Sequence, residues 1–138
     1  MLTVNKPTPR PLIKFVTGGI LKKGQIAVVS ANTAVVATEG VTTAIIIGIA
    51  CDDYASGVLG YFYDLRDAEI EADVYQGGGT DTFALANVGS QFDLYTAGTT
   101  NPFFVDPNDT TNPMVVLQSY NNDNATCIVK IMEDLLYI

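Results

Sequence analysis

At 138 residues, 48% apolar and only 16% charged, the chain is long enough to bury one hydrophobic core and too apolar to be disordered. Its net charge of −8 disfavours binding to nucleic acid or an anionic membrane, and the absence of histidine removes the usual general base and the commonest transition-metal ligand. No apolar run approaches the ~20 residues of a transmembrane helix, and no apolar stretch of the kind a secretory signal needs follows the first basic residues.

The chain opens on Lys-Pro-Thr-Pro-Arg-Pro, in which Pro7, Pro9 and Pro11 fix φ and push their neighbours to extended geometry. Residues 1–19 therefore read as an extended, basic, Pro-rich arm that becomes ordered on a partner, and residues 20–138 as a β-rich body. Lys6, Pro7, Pro9, Arg10, Pro11, Leu12, Ile13, Lys14 and Phe15 are the expected contact residues of that arm, with Val16 adding apolar surface. Gly18-Gly19 ends it.

Lys22-Lys23-Gly24 is a turn, residues 25–30 a strand, Ala31-Asn32-Thr33 a turn and residues 34–38 the returning strand of a hairpin. Residues 42–50 are almost continuously apolar and β-branched, the pattern of a central strand buried on both faces. Gly48 inside it calls for a bulge or a close backbone approach. A loop with Asp52, Asp53 and Tyr54 leads to an aromatic strand at residues 58–63 and a polar turn at 64–67.

The stretch from Glu69 alternates strictly: Glu69, Glu71 and Asp73 point one way, Ile70, Ala72 and Val74 the other. Gly77-Gly78-Gly79 breaks the strand. Residues 82–86 read as a second strand, Val88-Gly89 as a turn and residues 92–95 as a third. Beyond a polar region, strands are expected at 103–105, 114–120 and 125–132, the last two joined as a hairpin through 121–124. Residues 133–138 either extend the last strand or fold over the base of the domain. No window carries a helical stripe, so the class is all-β, a single compact β-sandwich or small β-barrel with an extended N-terminal arm.

Charge is unevenly divided. Lys6, Arg10, Lys14, Lys22 and Lys23 give the first 23 residues +5, while the remainder holds Arg66 and Lys130 against all fifteen acids, a balance of −13. Gly77-Gly78-Gly79-Thr80 lacks the Gly-Lys-Ser/Thr of a phosphate loop. Cys51 and Cys127 lack metal-ligand spacing and read as buried free thiols. The carboxylates Asp52-Asp53 and Asp64/Asp67/Glu69 read as solvated turn formers, and Asp106-Pro107-Asn108-Asp109 departs from the helix-loop-helix calcium pattern. The sequons at Asn108 and Asn124 read as chance matches in polar loops. No catalytic constellation, cofactor site or metal site is expected. Tyr61, Phe62, Tyr63, Tyr75, Phe83, Phe92 and Tyr95 supply core, with tyrosines near the glycine turn as candidate interface anchors.

Several segments in order resemble the small head decoration (capsid cement) proteins of tailed bacteriophages. They are Ile46-Ile47-Gly48-Ile49-Ala50 with Asp53-Tyr54-Ala55, then Glu71-Ala72-Asp73-Val74-Tyr75, Phe83-Ala84 and Val88-Gly89-Ser90-Gln91-Phe92-Asp93-Leu94. Val105-Asp106, residues 112–117 and Ile128-Val129-Lys130-Ile131 complete the likeness, which spans roughly residues 20–138. The resemblance implies a β-rich, non-enzymatic virion protein on the outer capsid surface, assembled in the host cytoplasm. Its implied partners are the major capsid protein and copies of itself, with a trimer favoured. The Pro-rich arm matches no motif of that family. A carbohydrate- or receptor-binding β module of a phage fibre or cell-surface protein is the other reading, served by exposed tyrosines and acidic loops.

Overall fold

The structure is a computed structural model that describes residues 2–6, 10–37, 45–96 and 103–137. It is all-β, with a nearly closed, barrel-like sheet and a second sheet beside it. In chain order the strands are β1 (Thr3–Lys6), β2 (Ile13–Val16), β3 (Ile26–Ser30), β4 (Thr33–Val36), β5 (Ile46–Ala50) and β6 (Leu59–Tyr63). They continue with β7 (Glu69–Val74), β8 (Gln91–Phe92), β9 (Leu94–Thr96), β10 (Phe103–Val105), β11 (Val115–Asn121) and β12 (Thr126–Ile131). Short 3-10 turns lie at Leu85–Asn87 and Glu133–Leu135.

The first sheet runs β8-β11-β12-β7-β10-β9, and β1 also pairs with β7. Its two ends, β8 and β9, are consecutive in the chain and separated only by Asp93, so one kinked segment spans the seam and curls the sheet towards a barrel. Backbone bonds hold the kink: the Asp93 N–H donates to the Asp109 carbonyl at 2.9 Å, and the Asp106 N–H donates to the Asp93 carbonyl at 3.2 Å. The alternation expected at β7 is observed, with Ile70, Ala72 and Val74 buried in the core. Facing strands send Leu94, Phe103, Val105, Leu117, Val129 and Ile131 into the same core.

The second sheet runs β2-β6-β5-β3-β4. It also curls back: Thr17, just past β2, bridges Ala34 of β4, and the Gly18 N–H donates to the Ala34 carbonyl at 2.8 Å. Inside the curl lies a separate small core of Leu21, Ala27, Ala34, Ile47, Ala50 and Phe62. The opposite face of β3 and β5 contributes Ile26, Val28, Ile46 and Ile49 to the large core shared with the first sheet. Strand β5 is buried throughout, as its apolar run implies. The β3–β5 register shifts between Ala27 and Val28, and a Cβ on Gly48 would run into the Tyr63 carbonyl oxygen, so both the bulge and the close approach are present. The β3–β4 hairpin turns through Ala31 and Asn32 at φ 48° and 62°, the left-handed pair that a two-residue turn requires.

Two sequence expectations read differently in the structure. Residues 82–86 are not a strand. Phe83 is held at both its N–H and its carbonyl by the Asn122 carboxamide (3.0 and 2.9 Å), and the Asn87 side chain accepts the Ala84 N–H at 2.7 Å. Side-chain amides thus take the bonds a neighbouring strand would have taken. The expected N-terminal arm is extended where it is described, yet it is hydrogen-bonded into the body: β1 lies along β7 and β2 along β6. Its apolar residues explain this, because Leu2 is buried in the large core while Ile13 and Phe15 pack on the small one. Of the two courses expected for the C-terminal residues, they take the second and fold over, with Leu135 and Leu136 buried and the Tyr137 N–H donating to the Ile46 carbonyl at 2.7 Å.

Candidate docking face

Strands β2 and β6 pair antiparallel, setting Lys14 opposite Tyr61, Val16 opposite Leu59, Ile13 opposite Phe62 and Phe15 opposite Gly60. Alternation sorts these pairs onto two faces. Ile13, Phe15 and Phe62 face the small core. Lys14, Val16, Leu59 and Tyr61 face solvent, with Val16 and Leu59 each 48% and Tyr61 37% exposed. On this face of the sheet, the neighbouring Tyr63 and Ile49 pack against the large core. One apolar surface is therefore covered by the first sheet at β5 and left bare at β2 and β6. Leu12, just before β2, and Val58 and Ile20 add exposed apolar surface on the flanking segments. Large aliphatic and aromatic side chains are thus exposed together on this ribbon, which makes it a candidate contact surface.

The ribbon is firmly held. The buried Thr17 hydroxyl donates to the Ala55 carbonyl at 2.6 Å and accepts the Val58 N–H at 3.1 Å, while the Thr17 N–H donates to the Val58 carbonyl at 2.8 Å. Phe15 packs edge-on against Tyr137 at 5.8 Å between ring centroids. Cations gather around the N-terminal segments: Lys14, Lys22 and Lys23 are exposed, and Arg10 lies 4.0 Å from Asp67.

Of the contact residues expected from sequence, Lys14 lies on this face, and Arg10, Pro11 and Leu12 are exposed just before it. Ile13 and Phe15 instead turn inward. Lys6 closes β1 opposite Glu69, in the other sheet. Pro7 and Pro9 lie outside the described residues. Sequence reasoning missed Leu59, Val58 and Ile20. The only signal for Leu59 was its place one step out of phase with buried Gly60 and Phe62, and a run apolar on both phases conceals that signal.

The carboxylates have structural partners. The Asp52 side chain accepts the Asp53 N–H, and the Asp53 side chain accepts the Lys23 N–H at 2.9 Å. Arg66 grips Asp64 with a guanidinium fork, which holds the Asp64 carboxyl below its ordinary range. Asp106 accepts both the backbone and side-chain amides of Asn108, and the Asn108 carboxamide in turn pairs with both backbone groups of Thr80 at 2.9 Å. Among the described residues no group of three or more His, Cys, Asp or Glu is placed to hold a metal ion. Both cysteines are free thiols, Cys127 buried and Cys51 half-buried. Burial, with a contribution from Asp73 and Glu71, pushes the Cys127 thiol up to about 12, and burial raises Cys51 as well. Neither thiol has the depressed pKa of a nucleophile. Next to the glycine turn, Tyr75 and Tyr95 stack at 4.2 Å with Phe104 beside them.

No model of a known protein family matches the chain, and no curated protein matches it significantly.

Proposed function

We propose that this chain is a structural virion protein that binds the outer surface of an icosahedral phage capsid and holds its coat subunits together. The observation that carries the reading is the bare β2–β6 face, an apolar surface with Lys14 in it, on a chain whose charge beyond residue 23 is strongly acidic. Such a face suits an acidic, partly apolar protein surface, and the acidic remainder disfavours contact with nucleic acid. The resemblance of residues 20–138 to capsid decoration proteins points to the same partner, the major capsid protein.

The work required is modest per copy. A standard specific interface buries ~1,600 Å² in total, and the clamp is repeated over the shell. Association is cheap in ordering entropy because β2 is already fixed to β6. A clamp that bridges two coat subunits opposes their separation, whereas one seated on a single subunit only decorates it.

The test is a titration of purified, expanded shells with wild-type protein and with the Val16→Glu/Leu59→Glu variant. Both substituted positions are half-exposed, and because they face each other across β2 and β6 a melting scan of the isolated variant serves as the control for folding. Wild-type binding that raises the shell melting temperature, with binding lost in the variant, supports the proposal. Failure of the wild type to bind, or equal binding by the variant, rejects it.

A further inference from the structure

The outer face of the first sheet carries chemistry that coat binding through β2 and β6 does not use. Ile70, Ala72 and Val74 point into the large core, so Glu71 and Asp73 point outward. Strand registers set their neighbours in two rows. Ser119, Ile128, Glu71 and Thr3 form one, across β11, β12, β7 and β1. Asn121, Thr126, Asp73, Phe104 and Tyr95 form the other, across β11, β12, β7, β10 and β9. Polar groups therefore occupy one end of the second row and aromatic rings the other.

At the polar end lies a groove of about 270 Å³, lined by Ser119, Asn121, Asn124 and Thr126 over Ile128, with Glu71 as its only charged lining residue. It opens where the β11 register shifts between Leu117 and Ser119, since a bulge bends its strand locally. The Asn121 carboxamide oxygen accepts the N–H groups of Asp123 and Asn124 at 3.1 and 3.2 Å, which fixes that side chain and leaves its amide nitrogen as a donor. Among the described residues, the side chains of Ser119, Asn124 and Thr126 have no hydrogen-bond partner. Strands β7 and β12 are paired on both edges, so no peptide strand can add to them there and a ligand meets side chains only.

At the other end Phe104 and Tyr95 are half-buried, and Tyr75 packs on both. A Cβ on Gly78 would meet the Tyr75 ring at 3.3 Å, so the glycine turn lies against that ring and helps to fix it. Phe104 is two strands from Thr126, a separation of roughly 10 Å. The charged residues of the two rows, Glu71 and Asp73, are both acids, and the cations of this sheet, Lys6 and Lys130, lie one row further along.

We infer that this face binds a neutral saccharide, with one sugar hydrogen-bonded in the Ser119/Asn121/Asn124/Thr126 groove and a second laid against the rings of Phe104 and Tyr95. Amide, hydroxyl and carboxylate groups together match the mixed donor and acceptor character of sugar hydroxyls. The C–H face of a pyranose packs on an aromatic ring, and the two acids disfavour sialylated or sulfated sugars. The site shares no residue with the β2–β6 face, so it stands or falls independently of capsid binding.

A glycan array of neutral and acidic oligosaccharides probed with the full chain tests the inference, followed by calorimetric titration of the strongest neutral ligand. Neutral glycans are expected to be retained and acidic ones not. Ser119→Ala/Asn124→Ala, at two exposed positions, is expected to weaken binding by roughly tenfold at an unchanged melting temperature. Phe104→Leu, which keeps apolar bulk and removes the ring, should weaken it by a similar factor, whereas Val16→Glu/Leu59→Glu should bind the glycan as the wild type does. Retention of no neutral glycan, retention of acidic glycans alone, wild-type affinity in Ser119→Ala/Asn124→Ala, or loss of binding in a folded Val16→Glu/Leu59→Glu variant would each overturn the inference.

Discussion

The two cores of this molecule are built from the same kind of strand by opposite means. The large core distributes its volume over many bulky side chains, among them Leu94, Phe103, Met114, Leu117 and Val129, each fully buried. In the small core three of six buried members are alanines, Ala27, Ala34 and Ala50, and the bulk comes from Phe62, Leu21 and Ile47. Small residues allow a five-stranded sheet to curl until Thr17 meets Ala34. A tight curl leaves room for few large side chains, so the small core rests on Phe62, Leu21 and Ile47 where the large one spreads its load over many. The second sheet also has apolar residues on both faces, and the first sheet covers only part of its outer face. The bare β2–β6 surface follows from that mismatch in extent.

Core truncation tests the contrast most strongly. Phe62→Ala is expected to destabilise by about 3–5 kcal/mol in urea titrations, and hydrogen exchange should accelerate across β2 to β6 before it does so in β11 and β12. Leu117→Ala, in the large core, is expected to cost about 2–5 kcal/mol and to leave no such difference between the sheets. Uniform exchange in both variants would mean that the two cores are one cooperative unit.

The packing of β5 against β6 comes next. Gly48→Ala drives a methyl into the Tyr63 carbonyl and is expected to cost about 1–3 kcal/mol or more. Gly19→Ala, whose added methyl meets nothing within 4 Å, should be nearly neutral in the same melting experiment. Asn122→Ala removes both bonds that fix Phe83 and should cost about 1–3 kcal/mol, with faster amide exchange at Phe83. An unchanged rate there would mean that ring packing alone holds the loop.

The smallest effects at neutral pH concern titration. Cys127 has its thiol raised from 9.0 to about 12 in the folded chain. Above pH 9 the unfolded state therefore releases a proton that the folded state retains, and stability falls between about pH 9 and 12. Cys127→Ala should lose that part of the decline in alkaline urea titrations. Asp64 gives the opposite sign. Its carboxyl is held below the ordinary range by Arg66, so its contribution is present above pH 3.8 and is lost as pH falls through the lower folded value. Asp64→Asn should flatten acid unfolding in that region.

Much of the architecture was legible. Alternation from Ile70 to Val74, the continuous apolar run ending at Ala50 and the hairpin through Asn32 each depend on neighbours in sequence, and local pattern reports them directly, while Gly48 marks a special position whose partners, Ala27 and the Tyr63 carbonyl, lie on other strands. The 82–86 segment does not form the expected strand because the partner that fixes Phe83, the Asn122 carboxamide, lies 39 residues away in the sequence, beyond any local pattern. The docking face was half legible. Charge and proline content drew attention to residues 10–16, yet only the pairing with β6 separates outward Lys14 and Val16 from inward Ile13 and Phe15.

By itself the sequence determined the β class, the turn positions and which residues share a side of each strand, because side-chain period and backbone sterics act within a few residues. Tertiary structure alone decided which side finds a covering layer, how the ends of each sheet meet at Asp93 and at Thr17, and where apolar surface is left bare. Those outcomes depend on the relative extent and curvature of two sheets, a property of long-range packing that no local window contains.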